Sequence, residues 1–331
     1  MKIIKISSGL PENKNMLLRQ TENFSGVWGD CKFYVNEKIE KCDWWFVLHG
    51  SGLNKMESCL CDPDHVIYVS MEPDENMSKV SNKFLSQFSC LITCDRKVNH
   101  PKKIYQNWIT WWVGILVNKL NKNHEFQSIV KLNYDQLTKM DFPEKQNRIS
   151  IIISNKNFSE GHRNRLNFIE KIRKMPISKH IDIYGHGYNH IPNKWDAIIN
   201  YKYHLVLENS RQKDYWSEKL GDAFLGFALP IYYGCPNIYE YFDRDSLILI
   251  DINDVNNSVK VLQDLIDHDV FQNKKDKLKV AREAILNKYN IFNLMSKLAN
   301  KKASNYQKIT LNTNAYFTDS ILKKLLKKLI L

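Results

Sequence analysis

Two short polar clusters, Glu208-Asn209-Ser210 and Ser217-Glu218-Lys219, flank a loop of six residues. Between them they hold two carboxylates, an amide, two hydroxyls and an ammonium. The apolar run His204–Leu207 before the first cluster reads as a strand, and Trp216–Phe227 reads as a helix. A strand–loop–helix junction aims main-chain N–H groups and the positive end of a helix into the space above it, which suits a phosphate or diphosphate. Lys219 adds a full positive charge in the first helical turn. Glu218 can accept two hydrogen bonds from a ribose diol. Tyr215 offers a ring for stacking on a purine. Taken alone, a Glu-Lys pair also opens many helices as a surface ion pair.

The surrounding string is more specific. It runs Tyr201-Lys202-Tyr203, Glu208-Asn209-Ser210, Tyr215, Ser217-Glu218-Lys219-Leu220, then Pro230-Ile231-Tyr232-Tyr233-Gly234. In order and spacing it resembles the donor-binding signature of glycosyltransferase family 10, the α-1,3/1,4-fucosyltransferases, in a bacterial-type member. The clear resemblance covers about residues 150–255. It implies an α/β, GT-B-like fold, with two Rossmann-like β/α domains facing a central cleft. It implies an inverting enzyme that moves fucose from GDP-fucose to a hydroxyl of a glycan acceptor, in bacterial surface polysaccharide synthesis. Asn209 would then add a neutral donor to a phosphate or sugar oxygen.

Two shorter stretches extend the resemblance. Ile151-Ile152-Ile153-Ser154-Asn155 is followed by Gly161-His162-Arg163-Asn164-Arg165. Family members carry a helix-opening arginine with apolar residues three, four and seven positions on. Arg165 meets that spacing with Phe168, Ile169 and Ile172; Arg163 does not, and is the alternative. The family arginine holds the donor diphosphate, a role that suits a permanently charged, bidentate guanidinium. The second stretch, Ser70-Met71-Glu72-Pro73, is similar to the family's Glu-Pro motif, whose glutamate is viewed as the catalytic base. Glu72 takes that role, with Glu75 as the second candidate.

No metal is expected, because two cations and a helix end already face the developing charge. Asp62-Pro63-Asp64, Asp243-Arg244-Asp245 and Asp267-His268-Asp269 sit at no family metal position. Cys59, Cys61, Cys90 and Cys94 lack the spacing of zinc knuckles. His186 and His190 flank a glycine turn and read as solvated. Trp108, Trp111 and Trp112 offer either a sugar platform or interdomain packing, with packing the better reading.

Behind these residues the chain alternates short apolar runs with amphipathic segments. Lys2–Ile6, Asp43–Leu48, Val66–Ser70 and Cys90–Thr93 read as strands, with a helix at Ser78–Phe88. A second series follows: strands at Arg148–Ser154, Ile181–Tyr184, His204–Leu207, Leu229–Tyr232 and Leu247–Ile250, with helices at Glu160–Lys174, Trp216–Phe227, Val255–His268 and Lys274–Asn300. The alternation favours parallel β/α units. The expected organisation is an acceptor domain over 1–145, a donor domain over 146–310 and a basic amphipathic tail over 311–331.

The 331 residues, 43% hydrophobic and 25% charged, fall in the globular range. The formal net charge of +12 is uneven: residues 272–331 hold 14 Lys and Arg against 3 Asp and Glu. Leu322, Leu325, Leu326 and Leu329 share one helical face of the tail, and Lys323, Lys324, Lys327 and Lys328 the other. Such a helix suits an anionic membrane surface. The expected location is cytoplasmic and peripheral on the inner membrane face, since the N-terminus lacks a signal-like apolar stretch and the odd cysteine count suits reduced thiols. Two other readings stand beside this one: the same scaffold with another nucleotide-activated sugar, and a basic nucleic-acid binder. The near-neutral body counts against nucleic acid as a partner.

Overall fold

The computed structural model describes residues 1–9, 14–48, 56–73, 80–118 and 127–312. Glu75 and the tail lysines lie outside them. The chain forms two compact units, Met1–Trp108 together with the chain from Ile291 onward, and Ile109–Asn290.

The first unit is built on a seven-stranded sheet. Its strands are β1 (Lys2–Ser8), β2 (Val27–Trp28), β3 (Cys31–Val35), β4 (Trp44–Leu48), β6 (Val66–Val69), β7 (Cys90–Thr93) and β8 (Lys103–Tyr105), in the order β2-β3-β1-β4-β6-β7-β8. β5 (Met56–Cys61) stands apart and pairs antiparallel with a late strand, Gln307–Asn312. Except for the β2–β3 edge, the seven strands pair in parallel. Parallel strands are covered on both faces and therefore read as continuous apolar runs. Trp44-Trp45-Phe46-Val47-Leu48 is buried at every position. Ile291, Phe292, Met295 and Ala299 pack into one of the two cores that flank the sheet.

The second unit adds a small antiparallel pair, β9 (Ile115–Asn118) with β10 (Gln127–Val130), to a parallel sheet. That sheet holds β11 (Gln146–Ile152), β12 (Ile181–Tyr184), β13 (Tyr201–Leu207), β14 (Leu229–Tyr233) and β15 (Ile248–Leu249), in the order β12-β11-β13-β14-β15. The chain leaves β11 to one side for β12 and returns on the other side for β13. This reversal makes a crevice at the carboxyl ends of β11 and β13, where open α/β sheets bind their ligands. Helices Glu160–Ile172, Glu218–Leu225, Val255–His268 and Lys275–Glu283 supply the layers.

The α/β class and the two β/α series are as the sequence predicts, and strands Ile181–Tyr184 and Cys90–Thr93 and helix Val255–His268 keep their expected bounds. Other elements differ. The predicted Lys274–Asn300 helix is interrupted by a π turn at Ala284–Lys288 and resumes at Ile291–Leu298. The described part of the predicted Ser78–Phe88 helix is one turn, Asn82–Leu85. The expected boundary at 145/146 falls inside the second unit, because Ile109, Trp111, Val113 and Leu137 are buried in that unit's core. Residues 311 and 312, the start of the expected tail, complete the strand that pairs with β5.

Candidate active site

A cavity of about 390 Å³ opens at the β11/β13 crevice, within the usual range for a small-molecule site. Ser154 and Lys156 reach it from beyond β11, Gly185 and His186 from beyond β12, and Asn209 from beyond β13. Arg165, Glu218, Lys219 and Asp222 line it from two helices.

The Glu160 helix starts with Ser159 as its N-cap, whose side chain accepts from the His162 N–H. Its first turn lies against the loop after β13. A Cβ on Gly161 would meet the Asn209 carbonyl oxygen at 1.9 Å. Only glycine permits that approach, so Gly161 sets how near the helix comes to Asn209. Arg165 faces inward with Phe168, Ile169 and Ile172, all buried. Its Nη1 donates to the Leu207 carbonyl at 3.0 Å, and its Nε is buried with no hydrogen-bond partner among the described residues. Burial pulls its pKa down and Glu208 opposes this; a guanidinium stays charged regardless. Arg163 is exposed and donates to the Asn157 carbonyl. Of the two arginines, Arg165 is the one brought to the cavity.

Glu208, just after β13, is buried, and its carboxylate accepts from Ser217 N and Ser217 Oγ, each at 2.8 Å. This closes the 209–216 loop onto the start of the next helix. Asp214 fastens the loop from behind, accepting from Asn237 Nδ2 at 2.7 Å and the Tyr241 hydroxyl at 2.9 Å. The Glu218 helix is capped by Ser217, which accepts from Lys219 N. At its other end, buried Arg282 donates to the Leu225 carbonyl at 3.1 Å and Lys145 to the Gly226 carbonyl at 2.8 Å. Arg282 is the fixed cation that complements the negative end of the helix, while burial pulls Lys145 down to about 7.

Lys219 Nζ lies 2.9 Å from Ser217 Oγ, 3.4 Å from Glu208 Oε2 and 3.5 Å from Glu218 Oε1. Burial opposes its charge, but Glu218 and Glu208 outweigh it and raise the ammonium above the ordinary lysine value. Glu218 is also met by Lys194 Nζ at 3.5 Å. Burial works to raise its carboxyl, while Lys219 and Lys194 prevail and hold it at about 2. The pair therefore presents fixed charge of both signs at one helix start.

The expected residues Arg165, Asn209, Glu218 and Lys219 thus line one cavity. Tyr215 does not: it is 5% exposed and absent from the lining. It is packed inside the protein, because the Glu208–Ser217 bonds and the Asp214–Asn237 bond pull its loop inward. Glu72 belongs to the first unit, just beyond β6. Its N–H donates to Ser70 Oγ at 3.2 Å, and Met71 before it holds a φ of 56°. A left-handed non-glycine residue is uncommon and marks a tightly specified turn. Glu72 itself is half-buried.

Several lining residues escape sequence reading. Lys194, His204 and Asp222 come from a turn, a strand interior and a helix interior. His204 bonds Ser150 Oγ at 2.7 Å, and burial, aided by Lys194 and Lys145, drives it to about 3, so it is neutral. An inward polar residue in an apolar strand was the available signal. Trp108 and Trp111 are buried in the cores of their own units, and neither offers a face to a sugar. All seven cysteines are buried, and none forms a disulfide. Among the described residues, no group of three or more His, Cys, Asp or Glu is placed to hold a metal ion, and no helix is long and apolar enough to cross a membrane.

Comparison with known proteins bears on this site directly. A family model described as "Glycosyltransferase family 10 (fucosyltransferase) C-term" matches residues 142–308, half of the chain, and spans every cavity residue above. An alpha-(1,3)-fucosyltransferase of Helicobacter pylori is 36% identical over 62 residues, 19% of this chain and 13% of the relative. A human 4-galactosyl-N-acetylglucosaminide 3-alpha-L-fucosyltransferase is 29% identical over 133 residues, 38% of this chain and 35% of the relative. The chain thus aligns with about a third or less of these relatives' lengths. Solved structures of an alpha1,3-fucosyltransferase with GDP and with GDP-fucose are 15% and 16% identical, with TM-scores of 0.48 and 0.45, each over 86% of this chain and 90% of that chain.

Proposed function

The chain belongs to glycosyltransferase family 10, the fucosyltransferase family, and we propose that it transfers fucose from GDP-fucose to a hydroxyl of a glycan acceptor with inversion at the anomeric carbon. One observation carries the donor half of this reading. The buried Arg165, with its unpartnered Nε, shares a cavity with the Lys219 ammonium and a carboxylate held ionised at a helix start. Two fixed cations suit a diphosphate, and an ionised carboxylate suits a ribose diol.

In this reading the acceptor oxygen attacks the anomeric carbon and its proton passes to Glu72. The bond from that carbon to the phosphate oxygen breaks, and its electron pair leaves with GDP. Arg165 and Lys219 stabilise the charge that grows on the diphosphate, with Asn209 as a neutral donor beside them. Preorganised cations supply the electrostatic work, so no metal enters the step. The family's acceptors are glycans, and a bacterial surface polysaccharide is the acceptor class we assign.

The donor decides the matter. Purified protein is incubated with GDP-fucose, GDP-mannose and UDP-sugars, and release of the nucleoside diphosphate is followed with and without glycan acceptors. Turnover of GDP-fucose is expected, with the others slower. Turnover of another nucleotide sugar in its place would keep the scaffold and replace the donor.

A further inference from the structure

Lys194 lies outside the loop–helix signature, yet it meets the signature's carboxylate. It opens a short 3-10 turn, Lys194–Ala197, whose N-cap is the buried Asn193. Asn193 Oδ1 accepts from Trp195 N at 3.0 Å and from Gly114 N at 3.1 Å, which fixes the backbone from which Lys194 extends. At the far end, Lys194 Nζ is 3.1 Å from Asp222 Oδ2 and 3.5 Å from Glu218 Oε1. Asp222 is 1% exposed, and its other oxygen accepts from Trp112 N at 2.9 Å and Val113 N at 3.1 Å. Its hydrogen bonds are spent on the scaffold. Asp222 therefore anchors Lys194, and the second carboxylate that the anchored Lys194 meets is Glu218, one helical turn away.

We propose that Lys194 is a positioning residue of the donor site: clamped by Asp222, it keeps the Glu218 carboxylate ionised and fixed at the cavity wall to receive the ribose diol. This rests on the donor reading above and names a residue that reading does not contain. Lys219 alone leaves Glu218 with one cation, and that cation is shared with Glu208 at 3.4 Å. Lys194 is the second. The charged and titratable groups around Glu218 are Lys219 and Asp222 on its own helix, Lys194 from the 3-10 turn, Arg165 and His162 from the Glu160 helix, His204 from β13 and Glu208 just after it. His204 is neutral and Glu208 is bound to Ser217, so Lys194 and Lys219 set the ionisation of Glu218.

The test is steady-state transfer from GDP-fucose as a function of pH, with GDP titration of the same proteins. Lys194→Met should raise KM for GDP-fucose roughly tenfold, the scale of one charge-assisted hydrogen bond, with a smaller change in kcat. Losing a cation raises the Glu218 pKa, so the fall in 1/KM on the acid side should begin at higher pH than in the wild type. Lys194→Arg should recover most of the affinity. Removal of Lys194 leaves Asp222 buried and unpaired. If Lys194→Met is poorly folded by thermal melting, the Lys194→Met, Asp222→Asn double variant carries the same readings without that charge. An unchanged KM and acid limb in a folded variant would overturn the inference. So would a fall in kcat alone, which would place Lys194 on the leaving diphosphate. Failure of wild-type protein to bind GDP would overturn the donor reading and this inference with it, whereas wild-type binding with an indifferent Lys194 variant overturns this inference alone.

Discussion

Arg163 and Arg165 stand two positions apart on one helix, about 200° of rotation from each other. One is exposed and bonded to a loop carbonyl; the other is 6% exposed and lines the cavity. Helical periodicity makes that choice, and the apolar partners Phe168, Ile169 and Ile172 display it in the sequence. Glu218 and Lys219 are legible for a similar reason, since they are adjacent and open a helix. Lys194 and Asp222 are 28 positions apart, and only folding puts 3.1 Å between their charged atoms. Tyr215 is the reverse case, a ring of suitable type that local hydrogen bonds carry inward. For Glu72, which follows the left-handed Met71, the prediction is chemical. Glu72→Gln keeps the side chain's size and shape but cannot take a proton, so transfer should fall about 10²–10⁴-fold while GDP affinity stays near wild type. Substantial remaining transfer would remove Glu72 from the role of base.

At the scale of elements, the site joins two strand–loop–helix junctions of the second unit that touch at Gly161. One junction, β11 with the Glu160 helix, brings Arg165; the other, β13 with the Glu218 helix, brings Asn209, Glu218 and Lys219. The contact between Gly161 and the Asn209 carbonyl sets their separation. Gly161→Ala places a methyl where main-chain atoms already sit, and neither the loop, tied through Glu208 and Asp214, nor the helix start can yield freely. We expect a loss of about 1–3 kcal/mol in stability, the scale of an overpacked core, and a weaker affinity for GDP. Melting and calorimetric GDP titration read the two effects. A variant with wild-type melting and GDP affinity would show that the helix start accommodates the methyl without cost. The sequence shows both junctions, but not their contact, because Gly161 and Asn209 are far apart in the chain.

At the scale of the molecule, the charge divides as sharply as the contacts. Much of the excess of Lys and Arg lies in residues 272–331, and of these Ile291, Phe292, Met295 and Ala299 pack into the core of the first unit. The leucine and lysine faces of the tail predict attachment to an anionic bilayer, at about 1 kcal/mol per basic residue near the surface. Residues 1–331 should therefore sediment with phosphatidylglycerol vesicles more than residues 1–315 do, and neither should sediment with neutral phosphatidylcholine. Equal sedimentation of the two would dismiss the tail as a membrane anchor. What the sequence determined by itself is whatever neighbouring residues encode: the β/α alternation, the helix start at Ser217-Glu218-Lys219, the inward face of Arg165, and the family through the order of those motifs. Only the tertiary structure decided which distant residues share a wall: Lys194 with Glu218 and Asp222, Gly161 with Asn209, and Ile291–Leu298 with the first sheet. Periodicity and capping are local and leave a trace in composition, whereas burial and charge pairing across strands depend on how the sheet closes.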